Sequence, residues 1–190
     1  MPLFRTILNL VAETIIPTEG NLRILAGDSV QPSKAIILDS KPDCFDDKNT
    51  VYKRIQNSMR INDGDISDGL VKFYARILTL SDDQLKGSPS QLSPSGQYLF
   101  GIACACMESS SVVIDCNQRE DEVIITAPIL LLDELLDYET SKVAGVVGKA
   151  LQNLAREGGL VLMATHRPEY VNAYSNRVIT MSSGRILKMI

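Results

Sequence analysis

The chain has 190 residues, which fits one ordinary domain with a sizeable core. Charged residues make up 22% and hydrophobic residues 45%, and both fractions are ordinary for a soluble globular protein. A net charge of −4 offers no basic surface, so nucleic-acid binding is not expected. No apolar run approaches the roughly 18 residues that a bilayer-spanning helix needs.

Cysteine usage indicates a reducing compartment. The four cysteines lack the spacing of zinc sites or redox motifs and lie at Cys44, Cys104, Cys106 and Cys116. Cys104 and Cys106 flank Ala105 in an apolar segment, so buried thiols are expected rather than a disulfide. Residues 1–17 carry Glu13 and only one basic side chain, which is a poor targeting pattern. A cytoplasmic α/β protein is therefore predicted.

The first part of the chain predicts two helices and two strands. Apolar spacing over residues 4–15 is typical of a helix, and Pro17 would end it. Short apolar runs at residues 22–25 and 34–38 predict strands. Thr50 is a candidate N-cap for a second helix that ends near residue 58.

The next part of the chain is polar and acidic, but one set of apolar residues in it recurs at the spacing of a helix face. This stripe consists of Leu70, Val71, Tyr74, Ile77 and Leu78. Ser81 would cap a short further turn, and the serine- and proline-rich segment Ser88–Ser95 predicts a loop. Ser93 and Pro94 then form an N-cap and a first-turn proline, which predicts a helix through about residue 107.

These helices are followed by a predicted buried strand that ends at two charged residues. Residues 112–114 and 122–125 flank a polar stretch, which predicts an exposed hairpin. Four consecutive apolar residues, Ile129–Leu132, are typical of a strand buried on both faces of a parallel sheet. That strand ends on two adjacent carboxylates, Asp133 and Glu134.

The strongest amphipathic helix is predicted at residues 139–157, where Gly158 and Gly159 would end it. Its apolar face consists of Val143, Val146, Val147, Ala150, Leu151 and Leu154. Residues 160–164 predict a second buried strand, which delivers Thr165 and His166, the only histidine.

The chain closes with a short helix predicted at residues 168–174 and a hairpin at 177–189. The sequence of elements predicts a parallel sheet with an antiparallel edge.

This order places three polar residues at one edge of the sheet. The carboxyl ends of neighbouring parallel strands meet at the edge where open α/β sheets bind ligands, so Asp133, Glu134 and His166 are expected together. One carboxylate can hold hydrated Mg²⁺ while its neighbour orients an attacking water. The alternative is that Asp133 caps the next helix, Glu134 lies on the surface and His166 is structural.

Together these segments resemble the nucleotide-binding domain of ABC ATPases over residues 128–186. Ile129–Glu134 looks like the Walker B strand, Ala164–Arg167 like the switch-histidine loop and Tyr174–Ile186 like the closing hairpin. The resemblance implies an α/β, P-loop NTPase-like parallel sheet with a helical signature subdomain and a C-terminal β-hairpin.

The resemblance continues upstream. Leu92–Gln97 is similar to the Leu-Ser-Gly-Gly-Gln signature that opens a helix, with one residue more. Pro17–Leu22 resembles the Pro-x-x-Gly turn after the first helix of the fold. Residues 40–51 are similar to the Q-loop of exporter-type domains, with Ser40 at the glutamine position and Phe45 and Thr50 beyond it. Residues 1–58 and 108–190 would then form the core, and residues 59–107 the helical signature region.

The resemblance implies ATP and Mg²⁺ as cofactors. Asp133 would hold Mg²⁺ through water, and Glu134 would act as general base toward the attacking water. His166 would contact the γ-phosphate and stabilise the charge of phosphoryl transfer.

The resemblance also implies partners, namely a second nucleotide-binding domain in a homo- or heterodimer and the transmembrane domain of a transporter. Ser93 or Ser95, with Gly96 and Gln97, would present a helix amino end to ATP held by the opposite domain. Asp137 looks like the D-loop aspartate, although its spacing from Glu134 is shorter than is usual in the family.

One motif of the family is absent from these residues. No segment matches Gly-x-x-x-x-Gly-Lys-Ser/Thr, the Walker A loop whose amides and lysine cradle the β- and γ-phosphates. Gly148 and Lys149 lie inside the predicted amphipathic helix, with Val143 where the first glycine should be. The chain therefore resembles an ABC domain that is N-terminally incomplete, and ATP chemistry is expected only when that loop or a partner supplies the missing contacts.

Three functional hypotheses follow. The first is the ATP-binding and hydrolysing domain of an exporter-like ABC transporter, with a soluble non-transport ABC ATPase as a close variant. The second is a catalytically inactive ABC-like interaction or regulatory module, which the absent phosphate loop and Ser40 favour. The third is an unrelated α/β domain, for which the grouping of Asp133, Glu134 and His166 would be coincidence.

The absent loop leads to a binding prediction. Residues 1–190 alone should show no saturable MgATP binding at micromolar concentration, because most of the usual phosphate donors are absent. Isothermal titration calorimetry measures this, with an ABC cassette that retains the loop as the positive control. Saturable micromolar binding by these residues would refute the prediction.

Overall fold

A computed structural model of the chain describes residues 3–20, 22, 33–42, 48–59, 64–115, 122–183 and 185–190. The helices are α1 (Leu3–Val11), α2 (Val51–Asn57), α3 (Gly64–Ile77), α4 (Asp82–Lys86), α5 (Pro94–Ser109), α6 (Ser141–Arg156) and α7 (Pro168–Tyr174), with a 3₁₀ turn at Pro89–Gln91. The strands are β1 (Ala35–Leu38), β2 (Val112–Asp115), β3 (Glu122–Ile125), β4 (Ile129–Asp133), β5 (Leu160–Ala164), β6 (Ile179–Ser182) and β7 (Arg185–Met189).

Strand β4 is the centre of a three-stranded parallel sheet in the order β1-β4-β5. Its residues alternate between two apolar layers, as the period of a strand requires. Leu130 and Leu132 pack in the layer that contains α5 and α6, whereas Ile129 and Leu131 pack with Leu8 of α1. All four are buried, which confirms the predicted strand that is covered on both faces.

A serine at the end of α5 ties the beginnings of two strands together. The Ser109 hydroxyl donates to the Lys34 carbonyl at 2.6 Å and accepts from the Ile129 amide at 2.8 Å. Its side chain is fully buried, so both bonds replace contacts with water that the polar groups would otherwise lose. This contact sets β1 and β4 in register at their amino ends.

The predicted helix caps are confirmed. Thr50 accepts from the Lys53 amide at 3.2 Å, and Ser81 forms a capping box with Gln84. Ser93 caps α5 with Pro94 at its first position. The predicted stripe of α3 is buried throughout, and Gly158 ends α6 with a φ of 94°.

Two helix boundaries differ from the prediction. Helix α1 ends at Val11, short of residue 15, because Glu13 adopts a left-handed conformation with a φ of 57°. The amides of Glu13 and Thr14 then bond back to the carbonyls of Leu10 and Asn9. Helix α6 begins at Ser141 rather than at 139, because the Thr140 side chain caps the helix.

Three packing predictions were wrong. Val146 is 40% exposed, because the buried face of α6 runs through Ala144 and Gly148 instead. Strand β5 is half-buried, with Leu160 50% exposed, because within the described residues it is the edge of the sheet. The two hairpins, β2–β3 and β6–β7, form sheets of their own rather than an antiparallel edge of the parallel sheet.

Other predictions were confirmed or lie outside the described residues. The pairing of β2 with β3 and of β6 with β7 is as predicted. The segment Ser88–Ser95, predicted as a loop, contains the 3₁₀ turn, because Ser88 and Gln91 form a capping box. Cys106 is buried and Cys104 partly buried, and neither forms a disulfide within the described residues. Most of the predicted strand at 22–25 and the positions Cys44, Phe45 and Cys116 lie outside the described residues.

No helix in the described part of the chain is both long enough and apolar enough to cross a membrane. The division into a core and a helical signature region stays a prediction.

A glycine sets how closely α6 approaches α7. A Cβ on Gly148 would lie 2.6 Å from Cδ2 of the Tyr174 ring, closer than packed atoms allow. Gly148 lies inside α6, where the lack of a side chain allows the Tyr174 ring of α7 to pack closely. As predicted, it is not part of a phosphate loop. Gly145, one turn earlier, has only the Tyr174 hydroxyl near it, at 3.5 Å.

Gly148→Ala should lower the free energy of unfolding by about 1–3 kcal/mol, because the Tyr174 ring must move to admit a methyl group. Gly145→Ala is the matched control and should raise it by about 0.5–1 kcal/mol through helix propensity. Urea unfolding of both variants measures the two effects. Stabilisation by Gly148→Ala would contradict the packing argument.

Candidate functional site

The carboxyl ends of β4 and β5 bring the predicted polar residues together. Asp133 lies opposite Ala164 in the parallel ladder, so Glu134 and His166 follow at the same edge of the sheet. The His166 Nε2 atom lies 2.9 Å from Oε1 of Glu134. The His166 side chain is 66% exposed, so this pair faces solvent and is open to a ligand.

Glu134 leaves the strand in a strained conformation. Its φ is 55°, a left-handed value that residues other than glycine rarely adopt. The Glu134 amide donates to the Ala164 carbonyl at 3.0 Å, and the Glu134 carbonyl accepts from the Asp137 amide at 3.1 Å. Strain of this kind persists where the surrounding structure fixes it and is concentrated at functional sites.

Asp133 is nearly buried and is paired with a cation of its own chain. Its side chain is 12% exposed, and Nε of Arg5 lies 3.5 Å from its Oδ2 atom. Nη2 of the same guanidinium lies 3.3 Å from Oδ2 of Asp39. Burial raises the pKa of Asp133, Arg5 opposes that rise, and the neighbouring Glu134 carboxylate adds to it.

The residues present fit Mg²⁺ only in combination with other ligands. Within the described residues no group of three or more acidic, histidine or cysteine side chains is arranged to hold a metal ion. Mg²⁺ is usually held by one or two carboxylates together with waters and substrate phosphates, and Asp133 suits that role. Arg5, however, already provides Asp133 with a positive charge.

A cleft of about 310 Å³ opens beside these residues. Its walls include Ser40, the predicted Q-loop position, together with Asp133 and Glu134. Tyr98 of α5 also lines it, and its hydroxyl donates to Oε1 of Glu139 at 2.7 Å. Burial, and then this carboxylate, raise the pKa of Tyr98.

The signature-like residues lie at the amino end of α5, next to this cleft. The Ser93 hydroxyl accepts from the Gly96 amide at 3.2 Å and lies 3.3 Å from the Ser95 hydroxyl. Ser93 is exposed, Gly96 is buried, and Ser95 and Gln97 are partly buried. They are not among the residues that line the cleft, which α5 reaches only with Tyr98.

Asp137 contacts the histidine segment of its own chain. Its Oδ1 atom accepts from the Thr165 hydroxyl, and its Oδ2 atom accepts from the His166 amide at 2.9 Å. Nη1 of Arg167 donates to the carbonyls of Asp137 at 3.3 Å and of Glu139 at 3.0 Å. In sequence Asp137 resembles the D-loop aspartate, and that resemblance did not predict these partners.

Reasoning from sequence also missed Arg5, Tyr98, Glu139 and Arg167. Arg5 is the one basic residue of α1. Its charge could have been expected to pair with one of the adjacent carboxylates, Asp133 or Glu134. Tyr98 follows directly after the signature-like residues, and Arg167 directly after His166.

Comparison with known proteins gives sequence relatives and structural neighbours. No protein-family model matches the chain. A probable amino-acid ABC transporter ATP-binding protein of Haemophilus influenzae is 30% identical over 53% of this chain and 32% of its own length. The cell division ATP-binding protein FtsE of Streptococcus pneumoniae is 26% identical over 74% of this chain and 54% of its own. The chain thus spans between about a third and about half of these relatives.

The structural neighbours are ABC cassettes. A dimeric bacterial ABC transporter cassette matches 98% of this chain and 79% of its own, with a TM-score of 0.58 and 18% identity. A post-hydrolysis state of that cassette, a dimer bound to ADP and Pi, matches over the same shares with a TM-score of 0.57 and 18% identity. The fold is that of an ABC ATPase cassette, and the predicted resemblance is confirmed.

The raised pKa of Asp133 predicts how stability depends on pH. Between the ordinary carboxyl pKa of 3.8 and the raised value, folding takes up a proton, so the free energy of unfolding falls as the pH rises. Asp133→Asn should therefore raise the free energy of unfolding near neutral pH. The difference should shrink toward about pH 3, where the carboxyl is protonated in both states.

Urea unfolding of both proteins at the two pH values measures this difference. Asp82→Asn is the matched control, because it removes the same charge at the exposed start of α4. Equal destabilisation by Asp133→Asn at both pH values would show that the Arg5 pair of the carboxylate outweighs its burial.

Proposed function

We propose that this chain, which has the ABC cassette fold and ABC ATP-binding proteins among its relatives, is part of an ATP-binding and hydrolysing domain. The observation that carries the proposal is the Glu134–His166 pair, 2.9 Å apart, at the carboxyl ends of two adjacent parallel strands. A carboxylate and an imidazole at this position are suited to act on an attacking water and on a phosphate.

In this proposal Glu134 accepts a proton from the attacking water. His166 keeps the Glu134 carboxylate in place and turns the other side of its ring to the transferring phosphate, whose charge it stabilises. When bound with the nucleotide, Mg²⁺ would neutralise phosphate charge, and Asp133 would hold it through water. Ser40, in the wall of the same cleft, offers a hydroxyl to the bound water.

The phosphates need further donors, because residues 1–190 contain no phosphate-loop motif. We assign these donors to a segment outside these residues or to a partner. The exposed amino end of α5, a helix of 16 residues, would serve the nucleotide of a second cassette, with Ser93 or Ser95 nearest to it. The dimeric assembly of the neighbouring cassette supports this arrangement.

A groove of about 310 Å³ suits a membrane-spanning partner. It lies between β1, α2 and α5, and Leu38, Pro42 and Phe100 line it. A Cβ on Gly101 would lie 2.7 Å from the Pro42 ring, so this glycine keeps α5 close to the segment after β1. A short helix from a transporter subunit would cover the half-buried Leu38 and Pro42, next to Phe100, which is already buried.

The second candidate function is an ABC-like module without catalysis. The pairing of Arg5 with Asp133 favours it, because the carboxylate is neutralised without a divalent cation. The name of the FtsE relative, a cell division ATP-binding protein, supports instead the non-transport variant of the first candidate.

Glu134→Gln tests the first candidate in the polypeptide as it occurs in the cell, its length fixed by mass spectrometry. ATP turnover should fall by about 10²–10⁴-fold, because the general base is lost, while ATP binding persists. Glu157→Gln, at the end of α6, is the matched control and should leave turnover unchanged. Turnover that survives Glu134→Gln would refute the assignment of the base, and absence of both binding and turnover in the wild type would favour the non-catalytic module.

A further inference from the structure

We propose that Asp137 is a positioning residue of its own chain: the turn Asp137–Glu139, called the clamp below, holds His166 at Glu134 and connects it to α5. The inference rests on the proposed roles of Glu134 and His166. It gives Asp137, which resembles the D-loop aspartate in sequence, partners within its own chain.

The carboxylate of Asp137 accounts for the position of the His166 backbone. One oxygen accepts from the Thr165 hydroxyl and the other from the His166 amide, at 2.9 Å. The Thr165 hydroxyl also accepts from the Arg167 amide at 3.0 Å. These three bonds tie the loop from Thr165 to Arg167 to the Asp137 carboxyl group.

Arg167 holds the other side of the clamp. Its guanidinium donates to the Asp137 and Glu139 carbonyls and lies 4.3 Å from the centroid of the Tyr170 ring. The Tyr170 hydroxyl donates to the same Glu139 carbonyl at 3.3 Å. The clamp thus bonds to Thr165 and Arg167, the residues on either side of His166. The His166 side chain itself stays exposed beside Glu134.

The clamp also contacts α5. The Tyr98 hydroxyl donates to Glu139 Oε1 at 2.7 Å, and Tyr98 lies directly after the signature-like residues Ser93–Gln97. Movement of the amino end of α5 therefore acts on Glu139 and, through two carbonyls of the clamp, on the loop that carries His166. Four side chains form this connection: Tyr98, Glu139, Arg167 and Asp137.

The lone histidine makes the proposal directly measurable. His166 is the only histidine of the chain, so its imidazole resonances in an NMR spectrum need no assignment. The wild type should show a nuclear Overhauser effect between His166 and Phe4, whose ring centroids lie 6.4 Å apart in an edge-on arrangement. The full chain is studied without nucleotide, so the result does not depend on ATP binding.

Asp137→Ala should shift the His166 resonances and remove its contact with Phe4, while the methyl spectrum of the core stays as in the wild type. Asp137→Asn and Thr165→Val should cause smaller changes of the same kind, because each leaves one acceptor or donor in place. Asp82→Asn changes the same charge in the exposed first turn of α4 and should have no effect on His166.

His166 resonances that stay at their wild-type positions in a folded Asp137→Ala variant would overturn the proposal. Should Asp137→Ala not fold, unchanged His166 resonances in both Asp137→Asn and Thr165→Val would overturn it equally.

Tyr98→Phe tests the connection to α5. It should shift the His166 resonances, because Glu139 loses its donor. Tyr52→Phe is the matched control: it removes a tyrosine hydroxyl that bonds to the Asp68 carboxylate, and His166 should not respond. His166 resonances unchanged by Tyr98→Phe would remove α5 from the proposal.

Discussion

The burial of β4 on both faces is the constraint on which the rest of the structure depends. Its alternate residues contact α1 on one side and α5 and α6 on the other, so the strand holds two apolar layers together. A fully buried leucine contributes about 2 kcal/mol, and three lie in succession at Leu130, Leu131 and Leu132. This burial fixes the register of β1 and β5 and therefore the point at which each strand ends.

Asp133 and Glu134, which follow the apolar run, are in less favourable surroundings or conformations than the residues before them. The Asp133 side chain is 12% exposed, whereas the leucines before it are fully buried, and Arg5 provides a positive charge for its carboxylate. Glu134 turns away from the strand in a left-handed conformation. A left-handed conformation at a residue other than glycine lowers stability, and such strain is typical of residues kept for function. The same residues meet His166 only because β4 and β5 are parallel neighbours.

The candidate site lies between the parallel sheet and α5. Asp137 and Glu139 contact the histidine loop on one side and Tyr98 of α5 on the other. Under the proposal that a second cassette or a further segment holds the phosphates, this contact would let His166 respond to a partner that binds at α5. The chain matches 79% of the neighbouring cassette, so a fifth of that fold has no counterpart here.

Local patterns in the sequence were sufficient to predict the individual elements. The apolar run of β4, the capped helices after Thr50, Ser81 and Ser93, and the order strand–helix–strand followed from spacing and capping chemistry, which act over a few residues. That order alone placed Asp133, Glu134 and His166 at one edge. The end of α1 depended on the left-handed conformation of Glu13, which spacing alone did not show. The exposure of Val146 and the edge position of β5 depended on packing between distant segments. The pairs Arg5–Asp133 and Asp137–His166 likewise join residues far apart in the chain, so only the tertiary structure could decide them.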